Sequence, residues 1–90
     1  HARVRECHLW SASATEIATR LAPHICGMHL NDVRDFHDDH RQPGWGGVDF
    51  AALKPLAARD LLRVFEPHAP VSFDELKTSL ARIKQLWLSD

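Results

Sequence analysis

Ile25-Cys-Gly-Met-His-Leu30 is a short and nearly continuous apolar run. A run of this kind suits a strand covered on both faces, as in a parallel sheet. It leads directly into Asn31, Asp32 and Arg34, then through Asp38-Asp-His40 to the glycine-rich Gly44-Trp-Gly-Gly47. The strand thus ends in imidazole, amide, carboxylate and guanidinium groups, and the flanking segments decide what kind of sheet it belongs to.

Upstream, Ser13-Ala-Thr-Glu16 has capping-box spacing and predicts a helix whose apolar stripe is Ala14, Ile17, Ala18 and Leu21. Pro23 ends it, because proline disfavours helical geometry in the residue before it. Downstream, Asp49 is placed to cap a short helix over Phe50 to Leu56, with Phe50, Leu53 and Leu56 as its buried face. Leu61-Leu-Arg-Val-Phe65 is a second short apolar run, and it leads into Glu66-Pro67. Ser72-Phe-Asp-Glu75 repeats the capping box and opens a long helix with Phe73, Leu76, Leu80, Ile83 and Trp87 at helical spacing. The order is helix, strand, loop, helix, strand, loop, helix. Such alternation predicts an α/β fold with right-handed crossovers and parallel strands. Two strands are too few to cover both faces of such a sheet, so the chain reads as a piece of a larger α/β structure.

Composition bounds the function. Ninety residues make one small domain, and 44% hydrophobic residues is an ordinary globular share. Eleven Lys and Arg against twelve Asp and Glu give a net charge of -1, so no overall basic field draws the chain to nucleic acid or to an acidic membrane. Cys7 and Cys26 form no C-x-x-C pair and read as reduced thiols. No apolar run approaches the ~20 residues of a membrane span, and no leader pattern is present, so a cytoplasmic location is expected. A first residue of His1 rather than Met is expected of a chain cut from something longer.

Histidine is the unusual residue, with seven copies. His29, Asn31, Asp32 and Arg34 lie at the end of the first strand and Glu66 at the end of the second, and parallel α/β folds build their sites at the carboxyl ends of strands. A carboxylate there needs a cation, a metal or a proton if it is buried; a structural salt bridge is the plain alternative. Asp38-x-His40 offers two ligands to one ion, and imidazole with carboxylate suits zinc, manganese, iron or cobalt. A solvated polar loop is the plain alternative here. His8, His24, His37 and His68 lack such company and read as surface or supporting histidines.

The segments His1-Ala2, Gly27-Met-His-Leu-Asn-Asp32, Asp38-Asp-His40, Pro43-Gly-Trp-Gly46, Val48-Asp-Phe50 and Phe65-Glu-Pro67 succeed one another as in the xylose isomerase-like TIM-barrel superfamily, and the chain resembles its C-terminal part. That superfamily contains sugar-phosphate isomerases and epimerases and the endonuclease IV-type AP endonucleases. The resemblance implies that residues 1–90 run from the end of strand six to the final helix of one (β/α)8 barrel. His1 would close a D-x-G-H-A motif, and Ile25 to Leu30 and Leu61 to Phe65 would be strands seven and eight. By the same resemblance, His29 is a metal ligand, Glu66 is a metal ligand and proton carrier, and His1 and Arg34 bind substrate. His1, Asp38 and His40 match the trio that holds an additional zinc in the AP endonucleases. One departure is visible: the turn usually reads P-G-E-G, and Trp45 stands in place of the acid. Covering of the barrel mouth is the favoured reading of Trp45, and stacking on a sugar ring is the other.

The activity that the resemblance implies is that of a metal-dependent sugar or sugar-phosphate isomerase or epimerase. A manganese, magnesium, cobalt or zinc ion would stabilise an enediolate, and the partner would be a small-molecule sugar. The alternative is a zinc phosphodiesterase at abasic DNA, favoured by the His1, Asp38 and His40 trio and disfavoured by the charge balance. A noncatalytic barrel remnant is the third reading. Taken alone, the ninety residues are expected to be inactive and to self-associate through uncovered faces.

Overall fold

A computed structural model describes residues 2–4, 12–34, 37–57 and 59–88. His1, Cys7 and His8 lie outside them. The described residues form a mixed α/β structure around a two-stranded parallel sheet. Helix α1 spans Ala14–Leu21 and is followed by a 3-10 turn at Ala22–His24. Strand β1 is Gly27–Leu30, α2 is Lys54–Ala57, β2 is Leu62–Phe65, and α3 is Phe73–Leu88.

Both expected helix caps form. The Ser13 hydroxyl accepts from Glu16 N–H at 3.1 Å. At α3 the box is reciprocal: Ser72 Oγ accepts from Glu75 N–H and Glu75 Oε1 accepts from Ser72 N–H, each at 3.2 Å. A cap of this kind contributes about 1 kcal/mol.

The structure corrects several boundaries. The strands begin at Gly27 and Leu62, not at Ile25 and Leu61. Pro23 lies within the 3-10 turn rather than directly after an α-helical residue. The helix expected over residues 50–56 is α-helical only at Lys54–Ala57, and turns occupy residues 50–53. Asp49 still closes the first turn, accepting from Ala52 N–H at 3.0 Å.

In β1, Met28 and Leu30 face inward, whereas Gly27 and His29 are exposed. The cover expected on both faces is therefore present on one, among the described residues. Leu30, Phe50, Ala57, Ile83 and Trp87 form the core, with Met28, Val48, Leu53 and Phe65 packed on it. Full burial of each large side chain stabilises by about 1.5–3 kcal/mol. Trp87 is the anchor of α3: its indole N–H donates to the Phe50 carbonyl at 2.7 Å. Phe73, expected on the buried face, is 73% exposed, since α3 reaches the core through its later turns at Ser79, Ile83 and Trp87. The α1 stripe likewise has no buried residue, and Leu21 is exposed. Among the described residues, no helix is long and apolar enough to cross a membrane.

Candidate functional site

The register of the sheet builds the site. His29 pairs with Val64 and Leu30 with Phe65, and the Glu66 N–H extends the ladder to the Leu30 carbonyl at 3.0 Å. Side chains alternate along a strand, so Glu66, two residues after Val64, leaves the sheet on the His29 side. The two side chains meet there: His29 Nδ1 is hydrogen-bonded to Glu66 Oε2. An ionised carboxylate only accepts, so the imidazole carries the proton at Nδ1.

His68 completes the other side of the carboxylate, with Nε2 3.4 Å from Glu66 Oε1. The sequence reads as if it were a surface or supporting residue; the structure instead brings it against Glu66. Glu66-Pro-His68 carries the signal, because the residue before proline is held extended and a spacing of two then puts both side chains on one side.

His40 arrives from the long loop. Its ring stacks on that of His68 with centroids 4.4 Å apart and planes within 3°. The His68 N–H also donates to the His40 carbonyl at 2.8 Å. His40 has φ +48°, the left-handed region that costs a side-chain-bearing residue about 1–2 kcal/mol. Its Nδ1 donates to the Asp38 carbonyl at 3.2 Å and lies 3.6 Å from Asp38 Oδ1. Ligand-type atoms of His40, Glu66 and His68 all fall within 4.8 Å of one another.

Glu66 is held below the ordinary glutamate value of 4.5, chiefly by the hydrogen bond from His29. Desolvation opposes this, and the charge of His29 and the contact with His68 add to the lowering. At neutral pH the group is therefore an anion between two imidazoles.

The remaining candidates are placed apart. Arg34 is exposed; its Nε donates to the Trp45 carbonyl at 3.1 Å and its guanidinium lies 3.9 Å over the Trp45 ring. Arg41 also lies over that ring, at 4.7 Å. Arg34 and Trp45 line a cavity of about 480 Å³ with Gln42, Glu75 and Arg82. His29 lines a different one of about 120 Å³. Trp45 is thus a platform for two arginines. His1, the remaining expected ligand, lies outside the described residues.

Asp32 is fully buried, and its role is to build the loop. Its carboxylate accepts from the backbone N–H groups of Val33 at 2.9 Å, Gly44 at 2.9 Å, Gly46 at 2.8 Å and Val48 at 3.1 Å. Gly46 has to be glycine, since a Cβ there would sit 2.1 Å from the Val33 carbonyl oxygen. Comparison of the chain with protein-family models, curated proteins and solved structures returns no match.

Proposed function

We propose that this chain is the C-terminal segment of a (β/α)8 barrel and that the complete barrel is a metal-dependent sugar or sugar-phosphate isomerase or epimerase. The meeting of His29 and Glu66 from adjacent parallel strands, one at the end of β1 and the other just past β2, carries this reading. The arrangement of the sheet supports it: one face packs on α3 through Leu30 and Phe65, and the other carries His29 and is uncovered among the described residues. In a barrel that second face would be closed by the remaining strands. The cavity beside His29, about 120 Å³, is smaller than the ~300–1,000 Å³ of a small-molecule pocket, so further strands would also supply the substrate space.

His29 and Glu66 would supply two of the ligands of a divalent ion, and two carboxylates from other strands of the barrel the rest. One imidazole nitrogen and one carboxylate oxygen already share a proton, and a cation between the same two groups would replace it. When bound, such an ion would stabilise the negative charge that develops on substrate oxygens as an enediolate forms. Glu66 supplies the permanent negative charge. Being deprotonated, it is in the form that accepts a proton from a substrate carbon, as an isomerisation requires. His29 holds that carboxylate in place. Arg34, on its Trp45 platform, would bind substrate oxygens away from the ion.

The test is aldose–ketose interconversion or epimerisation by the full-length protein carrying this segment. Glu66→Gln should lower turnover by about 10²–10⁴ at saturating metal. His29→Ala should be partly rescued by excess metal, and Arg34→Ala should raise KM more than it lowers kcat. Normal turnover in Glu66→Gln would sink the reading. The zinc phosphodiesterase is the second reading, favoured by the seating of His40 against Asp38; abolition of activity by Asp38→Ala or His40→Ala with Glu66→Gln active would move the assignment to it.

A further inference from the structure

We infer that His40, Glu66 and His68 form a zinc-class metal site of their own, on the side of Glu66 opposite His29. The isomerase reading shares Glu66 but uses neither His40 nor His68, and this site does not depend on it. Two neutral nitrogens and a carboxylate oxygen are a donor set for zinc or a similar borderline cation, and three protein ligands leave a fourth position for water or a substrate oxygen. The carboxylate is divided between the two sides: Oε2 faces His29 and Oε1 faces His68.

Three features of the chain favour ligation over chance proximity. First, the Asp38 carbonyl takes the Nδ1 proton of His40, and Asp38 Oδ1 stands beside the same nitrogen. This is the supporting pattern around metal-bound histidines, in which an oxygen holds one ring nitrogen and the other ligates. Second, the two imidazoles are fixed relative to each other by the backbone hydrogen bond between His68 and His40 as well as by stacking. Third, His40 is kept in the left-handed region, a backbone cost that is met where a side chain must be aimed.

Zinc alone, titrated into the ninety-residue chain against a chromophoric chelator, tests the site. Zinc should bind, and His40→Ala and His68→Ala should each weaken binding by at least about 10- to 100-fold, the range known for losing even a supporting partner of a ligand. His24→Ala, a change at an exposed histidine outside the group, should leave it unchanged. In the unmutated chain, long-range nitrogen–proton NMR should show zinc shifting Nε2 of His40 and His68 while Nδ1 of His40 keeps its proton. Absence of zinc binding, binding that survives His68→Ala, or unmoved His68 resonances would each overturn the site. Zinc binding that depends on His68 in a protein without isomerase activity leaves this site standing and removes the proposed function. Isomerase activity with metal binding that depends on His29 alone does the reverse.

Discussion

His40 and His68 lie face to face, 4.4 Å apart and within 3° of parallel, although 28 positions separate them in the chain. Stacking alone needs only flat rings, whereas ligation needs nitrogens. His68→Phe should therefore keep the stack and cost less than about 1 kcal/mol of stability, yet abolish zinc binding at this position. Denaturation and zinc titration of the same variant check both halves.

Asp32→Ala should destabilise the chain by about 3 kcal/mol or more, because four backbone donors lose a buried acceptor. The urea midpoint should fall steeply. A shift as small as that of a surface substitution would mean that the carboxylate does not organise the loop.

Glu75 is held below the ordinary glutamate value of 4.5, first by the Ser72 N–H and then by the Ser72 hydroxyl, with desolvation opposing and Arg41 and Gln42 assisting. Its folded pKa is depressed, so its contribution is complete above 4.5 and is lost as pH falls through the lower folded value. The unfolding free energies of the unmutated chain and Glu75→Gln should differ at neutral pH and converge below pH 4.5. Acid titrations followed by circular dichroism would measure this.

Trp87→Phe keeps an aromatic ring in the core but removes the donor to the Phe50 carbonyl. A buried carbonyl left without its partner costs about 1–3 kcal/mol. Leu86→Ala, on the more exposed side of the same helix, should cost less. Chemical denaturation of the two variants ranks them.

Leu62 and Leu88 are 68% and 73% exposed, and the His29 face of the sheet is uncovered among the described residues. The isolated chain should self-associate, with a sedimentation coefficient that rises with concentration. A concentration-independent monomer with a sharp thermal transition would contradict this.

The elements are legible in the sequence wherever a local cause acts alone. Ser13 and Ser72 close helix starts, and Asp49 closes a turn, through bonds within three residues, and those can be read directly. The parallel pairing follows from the alternation of elements, and the approach of His29 to Glu66 from the ends of the two apolar runs. Phe73 misleads because periodicity marks a helix face without saying which turns reach the core. Asp32 stands out among the strand-end polar residues, but its grip on Gly44, Gly46 and Val48 depends on a loop closing over it, which no spacing announces. His68 is half legible: the Glu66-Pro-His68 spacing sets it beside Glu66, whereas His40, 28 positions away, is brought to it by tertiary structure.

Asp32 has one more consequence, through its backbone. It exchanges two hydrogen bonds with Arg41, N–H to carbonyl at 2.7 Å and 3.0 Å, and so clasps the two ends of the segment between them. His40, one residue before Arg41, therefore takes its position from the end of β1, so the strand that carries His29 and the loop that carries His40 share one backbone frame.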